Sequence, residues 1–121
     1  MENREGQLAR LLVGDIFHAT CANGASLICL AEVVTRDRIV ARRITSQDRF
    51  EFNRATGSSV GGKSQCSIDS VAPLPVPVFN VMLGLDRKMR LQRDPEKFKL
   101  DRDEKDALRF VDTYYAGNPL L

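Results

Sequence analysis

The chain is 121 residues long, a length that suits one domain with an appendage. Apolar residues make up 43% and aromatics 7%, with no Trp, so the expected core is aliphatic. The net charge of +2 permits a nucleic-acid partner without arguing for one, and no apolar run approaches the roughly 20 residues that span a bilayer.

The opening Met1-Glu2-Asn3-Arg4-Glu5 is charged and has no signal-peptide apolar region. The reading is a cytoplasmic protein with no membrane partner. Residues 1–12 form a helical segment with Leu8, Leu11 and Leu12 on one side. Val13-Gly14-Asp15 breaks it and leads into a β-meander with strands at 15–21, 26–34, 39–45 and 49–54. Asn23-Gly24 fits a two-residue type I′ loop, which needs positive φ at both positions. That loop pairs Cys21 with Ser26, Thr20 with Leu27 and His18 with Cys29. A one-residue slip would turn every side chain to the other face.

Val13-Gly14-Asp15 followed by strand, turn and strand resembles the opening of SH3-like small β-barrels. The resemblance spans roughly the first seventy residues. It implies a fold and no activity.

The second strand is apolar on both sides. Leu27, Cys29, Ala31 and Val33 share one face, and Ile28, Leu30 and Val34 share the other, broken only by Glu32. A half-exposed strand alternates apolar and polar residues, so this one needs cover on both faces. The barrel interior supplies one cover and C-terminal helices the other. The third strand places Ile39, Ala41 and Arg43 opposite Val40, Arg42 and Ile44. The fourth sets Phe50 and Phe52 together. Residues 56–63, rich in Gly and Ser, read as a flexible hairpin loop. A fifth strand at 67–71 closes the sheet.

Pro73, Pro75 and Pro77 make a stiff connector over 73–77. Val78, Met82, Leu85 and Met89 then recur at helical spacing, with Asp86, Arg87, Lys88 and Arg90 assigned to the other side. That helix ends near Gln92. A second helix starts after Asp101, where Asp101 and Glu104 fit a capping box. Leu108, Val111 and Tyr115 form its stripe, beside Ala107, Phe110 and Tyr114. Gly117 and Pro119 stop it. The predicted organisation is a helical segment at 1–12, a barrel at 13–72, the connector, and a helical tail at 78–121 packed on the barrel. The fold class is mainly β with α: a five-stranded antiparallel, partly open SH3-like barrel followed by two C-terminal helices.

Candidate chemistry is sparse. Cys21, Cys29 and Cys66 are odd in number and lack metal-ligand spacing, so they read as reduced thiols. His18, facing Cys29, would make a nucleophile–base pair, but no orienting acid is evident and a structural histidine is the expectation. Gly57 to Ser64 spells G-x-x-x-x-G-K-S, the spacing of a phosphate-binding loop. Such a loop opens a helix, whereas a strand and prolines follow here, so a solvated turn is expected. Arg36, Arg38, Arg42, Arg43, Arg49 and Arg54 crowd the third and fourth strands against Asp37, Asp48 and Glu51. They are the candidate partner-binding residues. No catalytic residue, metal or cofactor is expected. The functional expectation is a non-enzymatic interaction or regulatory module with a protein partner. The alternative is a nucleic-acid-binding module using the Arg-rich sheet.

Overall fold

The computed structural model describes residues 3–62, 65–92, 94 and 98–120. In chain order the elements are α1 (Arg4–Ala9), β1 (Ile16–Cys21), β2 (Ser26–Val34), β3 (Arg38–Arg43), β4 (Arg49–Asn53), β5 (Cys66–Ser70), α2 (Val76–Leu91) and α3 (Arg102–Ala116). The strands form one antiparallel sheet in the order β4-β3-β2-β1-β5, curled into a half-barrel. The five antiparallel strands and two C-terminal helices are those the sequence pattern predicts.

The first hairpin is one residue out of the expected register. Thr20 pairs with Ser26, Ala19 with Leu27, His18 with Ile28 and Phe17 with Cys29. The loop has three residues, closed by bonds from Cys21 N–H to Ala25 O (2.9 Å) and from Gly24 N–H to Cys21 O (2.8 Å). Only Gly24 takes positive φ (+89°), so the type I′ loop does not form. Asn23 instead accepts the Ala25 N–H on its side chain. Burial explains the choice. Directly opposed residues share a face, and this register sets Phe17 and Ala19 beside Cys29 and Leu27. The expected one would have set Thr20 against Leu27.

The inward core joins Phe17, Ala19, Leu27, Cys29, Ile39 and Phe52, among others, and includes Leu8 and Leu11 from the N-terminal segment. Leu12, expected on the same side, is exposed. A bulge between Ala31 and Val33 shifts the end of β2 by one residue. Val34 therefore packs inward and Val33 is exposed, the reverse of strict alternation.

Residues 57–60 are structural, contrary to the flexible loop expected there. They bridge the two edge strands. Asn53 N–H donates to Ser58 O and Val60 N–H to Glu51 O on one side. Ser59 N–H donates to Cys66 O, and Ile68 N–H to Gly57 O, on the other. Gly57 has φ +79°, and a Cβ there would lie 2.8 Å from the Arg4 guanidinium. Arg4 itself donates to Ile68 O at 2.6 Å, pinning α1 over this end of the half-barrel. The resemblance to a phosphate-binding loop thus has no cradle at Gly57, and β5 follows rather than a helix. Its Lys63 and Ser64 lie outside the described residues.

A second core lies on the outer face. Ile16, Ile28, Leu30 and Ile44 of the sheet side meet Met82 and Leu85 of α2 and Ala107, Val111 and Tyr115 of α3. Pro77 sits in the first turn of α2, where a missing N–H does no harm. The Asp101–Glu104 capping box forms as expected, with bonds of 2.8 and 2.9 Å. Tyr115 donates its hydroxyl to Ile16 O at 3.1 Å, and Ser70 donates to Asn118 O at 2.6 Å. Asp86, assigned by its charge to the solvent side, is instead buried, as is Glu104. Phe110 is exposed. No helix among the described residues is long and apolar enough to cross a membrane.

Candidate functional site

The structure divides the six candidate arginines. Arg42, on the outer face of β3, forks onto Asp86 of α2, with Nε to Oδ1 at 2.9 Å and Nη2 to Oδ2 at 2.7 Å. Its Nη1 donates to Glu32 at 3.1 Å, and Gln47 donates to Asp86 at 2.9 Å. Burial pushes the Asp86 pKa upward, but the bonds from Arg42 and Gln47 outweigh it and hold the carboxyl below the usual range. The same bond with Asp86 raises the Arg42 pKa further, against the opposing effect of burial. Arg54 donates to Thr35 O, Ala9 O and Leu11 O, tying the end of α1 to the sheet. These two arginines serve the fold.

Arg38 and Arg49 make exposed pairs, 3.8 Å from Glu51 and 3.2 Å from Glu32. Pairs of that kind contribute little to stability. Arg36 is exposed beside the β2–β3 turn. Arg43, on the inner face, donates through Nη2 to Ser26 O at 3.2 Å. Its Nε, like that of Arg54, is buried with no hydrogen-bond partner among the described residues.

Arg43 and Arg49 line a cavity of about 570 Å³ at the open mouth of the half-barrel. Leu27, Phe50 and Val60 give it apolar walls, and Glu51 adds one acid. Phe50, half-buried, stacks at 6.4 Å on Phe52, which is fully buried. Sequence pattern placed both rings on one face of the strand; the mouth leaves one of them accessible.

The cavity also touches Cys21 and Cys66, which form a disulfide. The expectation of three reduced thiols fails here, because antiparallel pairing sets these two directly opposite each other at one end of β1 and β5. The cytoplasmic reading loses the support it drew from those thiols. Cys29 remains free, and burial pushes its pKa up to about 12, with Arg43 acting weakly the other way. A thiol held protonated is a poor nucleophile.

His18 does not face Cys29. Its Nδ1 lies 2.6 Å from Asp69 Oδ1, and Thr20 donates to Asp69 Oδ2 at 2.5 Å. Burial pushes the Asp69 pKa upward, but the His18 and Thr20 bonds prevail and hold it low. The orienting acid that the sequence did not reveal is therefore present. A bulge makes Asp69 the extra residue of β5 between the partners of His18 and Ala19. Asp86 was more legible, since it stands four residues after Met82, on the buried stripe of α2.

Comparison with protein-family models, with curated proteins and with solved structures finds no match to this chain.

Proposed function

We propose that the protein is a non-enzymatic, SH3-like binding module whose mouth takes a short acidic segment of a protein partner. The observation that carries this reading is the pairing of an accessible ring, Phe50, with the under-satisfied guanidinium of Arg43 in one cavity. An apolar side chain would lie on Leu27, Phe50 and Val60, and a neighbouring carboxylate would meet Arg43. Charge-assisted bonds between arginine and carboxylate are the stronger, more directional kind. Small barrels commonly bind through loops and mouths of this type.

A nucleic-acid reading uses the same residues, with a base stacked on Phe50 and a phosphate on Arg43. The acids spread among the arginines argue for the peptide. Arg42, Arg38 and Arg49 each face a carboxylate already, which breaks up the continuous basic surface that a phosphate backbone requires.

The test is an NMR titration with acidic peptides bearing one aromatic or aliphatic residue, and in parallel with single-stranded oligonucleotides. Shifts at Phe50 and Val60 that are lost in Arg43→Ala support the peptide site. Saturable oligonucleotide binding with a steep salt dependence, and no peptide response, would transfer the site to nucleic acid. No response to either ligand removes the mouth as a binding site.

A further inference from the structure

We propose that the cleft between β1, β5 and α3 is a second binding site, one that takes a primary ammonium group on an aliphatic chain between His18 Nε2 and Asp112. The argument starts from Asp69. The β5 bulge turns its carboxylate onto His18 Nδ1, and Thr20 occupies its other oxygen. An ionised carboxylate only accepts, so in the neutral imidazole the proton sits on Nδ1 and Nε2 presents a lone pair. His18 is only 8% exposed, yet Nε2 has no hydrogen-bond partner among the described residues.

Nε2 faces a cleft of about 480 Å³, with Asp112 Oδ1 4.0 Å away. With His18 neutral, two acceptors thus confront each other across a gap too wide for a direct bond. A group with at least two donors would bond both. The charged groups facing it are Asp69 from β5 and Asp112 from α3, while β1 and β2 contribute the uncharged Thr20 and Ser26. A cation is therefore favoured over a neutral donor. Among the described residues no three groups converge as metal ligands, whereas an ammonium needs only two acceptors and brings three N–H groups. The Tyr115 ring, 5.5 Å from the imidazole, and Pro119 line the same cleft and suit the methylenes of an alkylamine or lysine side chain.

The test follows the His18 ring signals by NMR, above the ordinary imidazole range. The probes are n-butylamine, Nα-acetyl-lysine N-methylamide and tetramethylammonium. Saturable shifts with the primary amines are expected, weakened about tenfold in Asp112→Asn, the scale of one charge-assisted bond. Asp112 has a side chain 60% exposed, so this variant should fold normally, and its melting temperature checks that. Binding of butylamine alone identifies a free amine as the ligand. Binding of the lysine derivative alone identifies a peptide side chain. The proposal is overturned if tetramethylammonium, which has charge but no N–H, shifts the ring equally. Unchanged affinity in Asp112→Asn overturns it as well, as does the absence of any amine response at millimolar concentration. Arg43→Ala should leave these titrations unchanged, which keeps this site separate from the mouth.

Discussion

The two faces of β2 are buried by different means. Inward, Leu27, Cys29 and Ala31 meet neighbours that are almost all apolar, and the curl of the sheet itself encloses them. Outward, Ile28 and Leu30 meet two helices that reach the sheet only after the proline connector. There the apolar contact is edged by directional bonds: Arg42 to Asp86, Tyr115 to Ile16, and Lys88 to Glu104 at 3.0 Å. Strand pairing fixes the geometry of the inner core bond by bond. An apolar helix–sheet interface has no such fixing, since hydrophobic attraction is non-directional. Polar bonds at its edges set where each helix sits. The difference implies that inner-face variants lose stability through cavities, while outer-face variants also lose position.

The largest effects should come from truncating each core. Phe52→Ala, on the inner face, should cost about 3–5 kcal/mol, and Leu85→Ala, on the outer, about 2–5 kcal/mol. Denaturant melts measure both. The two faces belong to one cooperative unit if each variant shifts the whole transition. A Leu85→Ala protein that unfolds in two steps, helices first, would show that the half-barrel holds without its outer cover.

Next in size is the ion pair that docks α2. Asp86→Ala leaves Arg42 partly buried without its main acceptor, and should cost roughly 1.5–3 kcal/mol. Replacing both partners, as Arg42→Met with Asp86→Leu, should recover most of that loss, because an apolar pair avoids the desolvation penalty. If the pair serves chiefly to position α2, the double variant should keep its melting temperature while its α2 amides exchange faster. Melting and hydrogen exchange together decide the matter.

The same carboxylate gives a smaller, pH-dependent term. Asp86 and Asp69 both titrate below the usual range in the folded state. Their contribution is complete above the unfolded aspartate value of about 3.9, and it is lost as pH falls through that value to the lower folded one. Stability should therefore drop on acidification across that window. Asp86→Asn should be less stable at neutral pH and should show a shallower acid slope. A slope identical to that of the parent would mean the pair is formed too rarely to matter.

The sequence made one part of this contrast legible and hid the other. The apolar residues on both faces of β2 and the spacing of Val78, Met82 and Leu85 declared that both faces need cover, because periodicity depends only on local geometry. The capping box was readable for the same reason. Register was not. Asn23-Gly24 serves a two-residue or a three-residue loop equally well, and burial of Phe17 and Ala19 chose between them. Bulges leave no local mark, so the exchange of Val33 with Val34 and the placement of Asp69 beside His18 could not be foreseen. The arginines show the limit most clearly. Six positive charges read as one patch in sequence, but their fates depend on Asp86, Glu32 and the carbonyls of Ala9 and Leu11. Only folding brings those groups near.

The smallest expected effect isolates the outer face most cleanly. Asp101 caps α3 by accepting the Glu104 N–H, and Glu104 returns a bond to the Asp101 N–H. Glu104 is itself buried and receives Lys88 from α2, so the cap and the helix–helix contact share one residue. Asp101→Ala removes the cap's side chain and none of the apolar contacts in either core, and should cost about 0.5–2 kcal/mol. Because the loss falls on the first turn of α3, amide exchange should quicken there and along the α2–α3 seam. The amides of Phe17, Cys29 and Ala41 should change only by the global loss, since those strands are held by pairing and inner packing. Selective loosening of α3 would confirm that the outer layer is held element by element. An equal acceleration on both faces would instead mean that the helices and the half-barrel open only together.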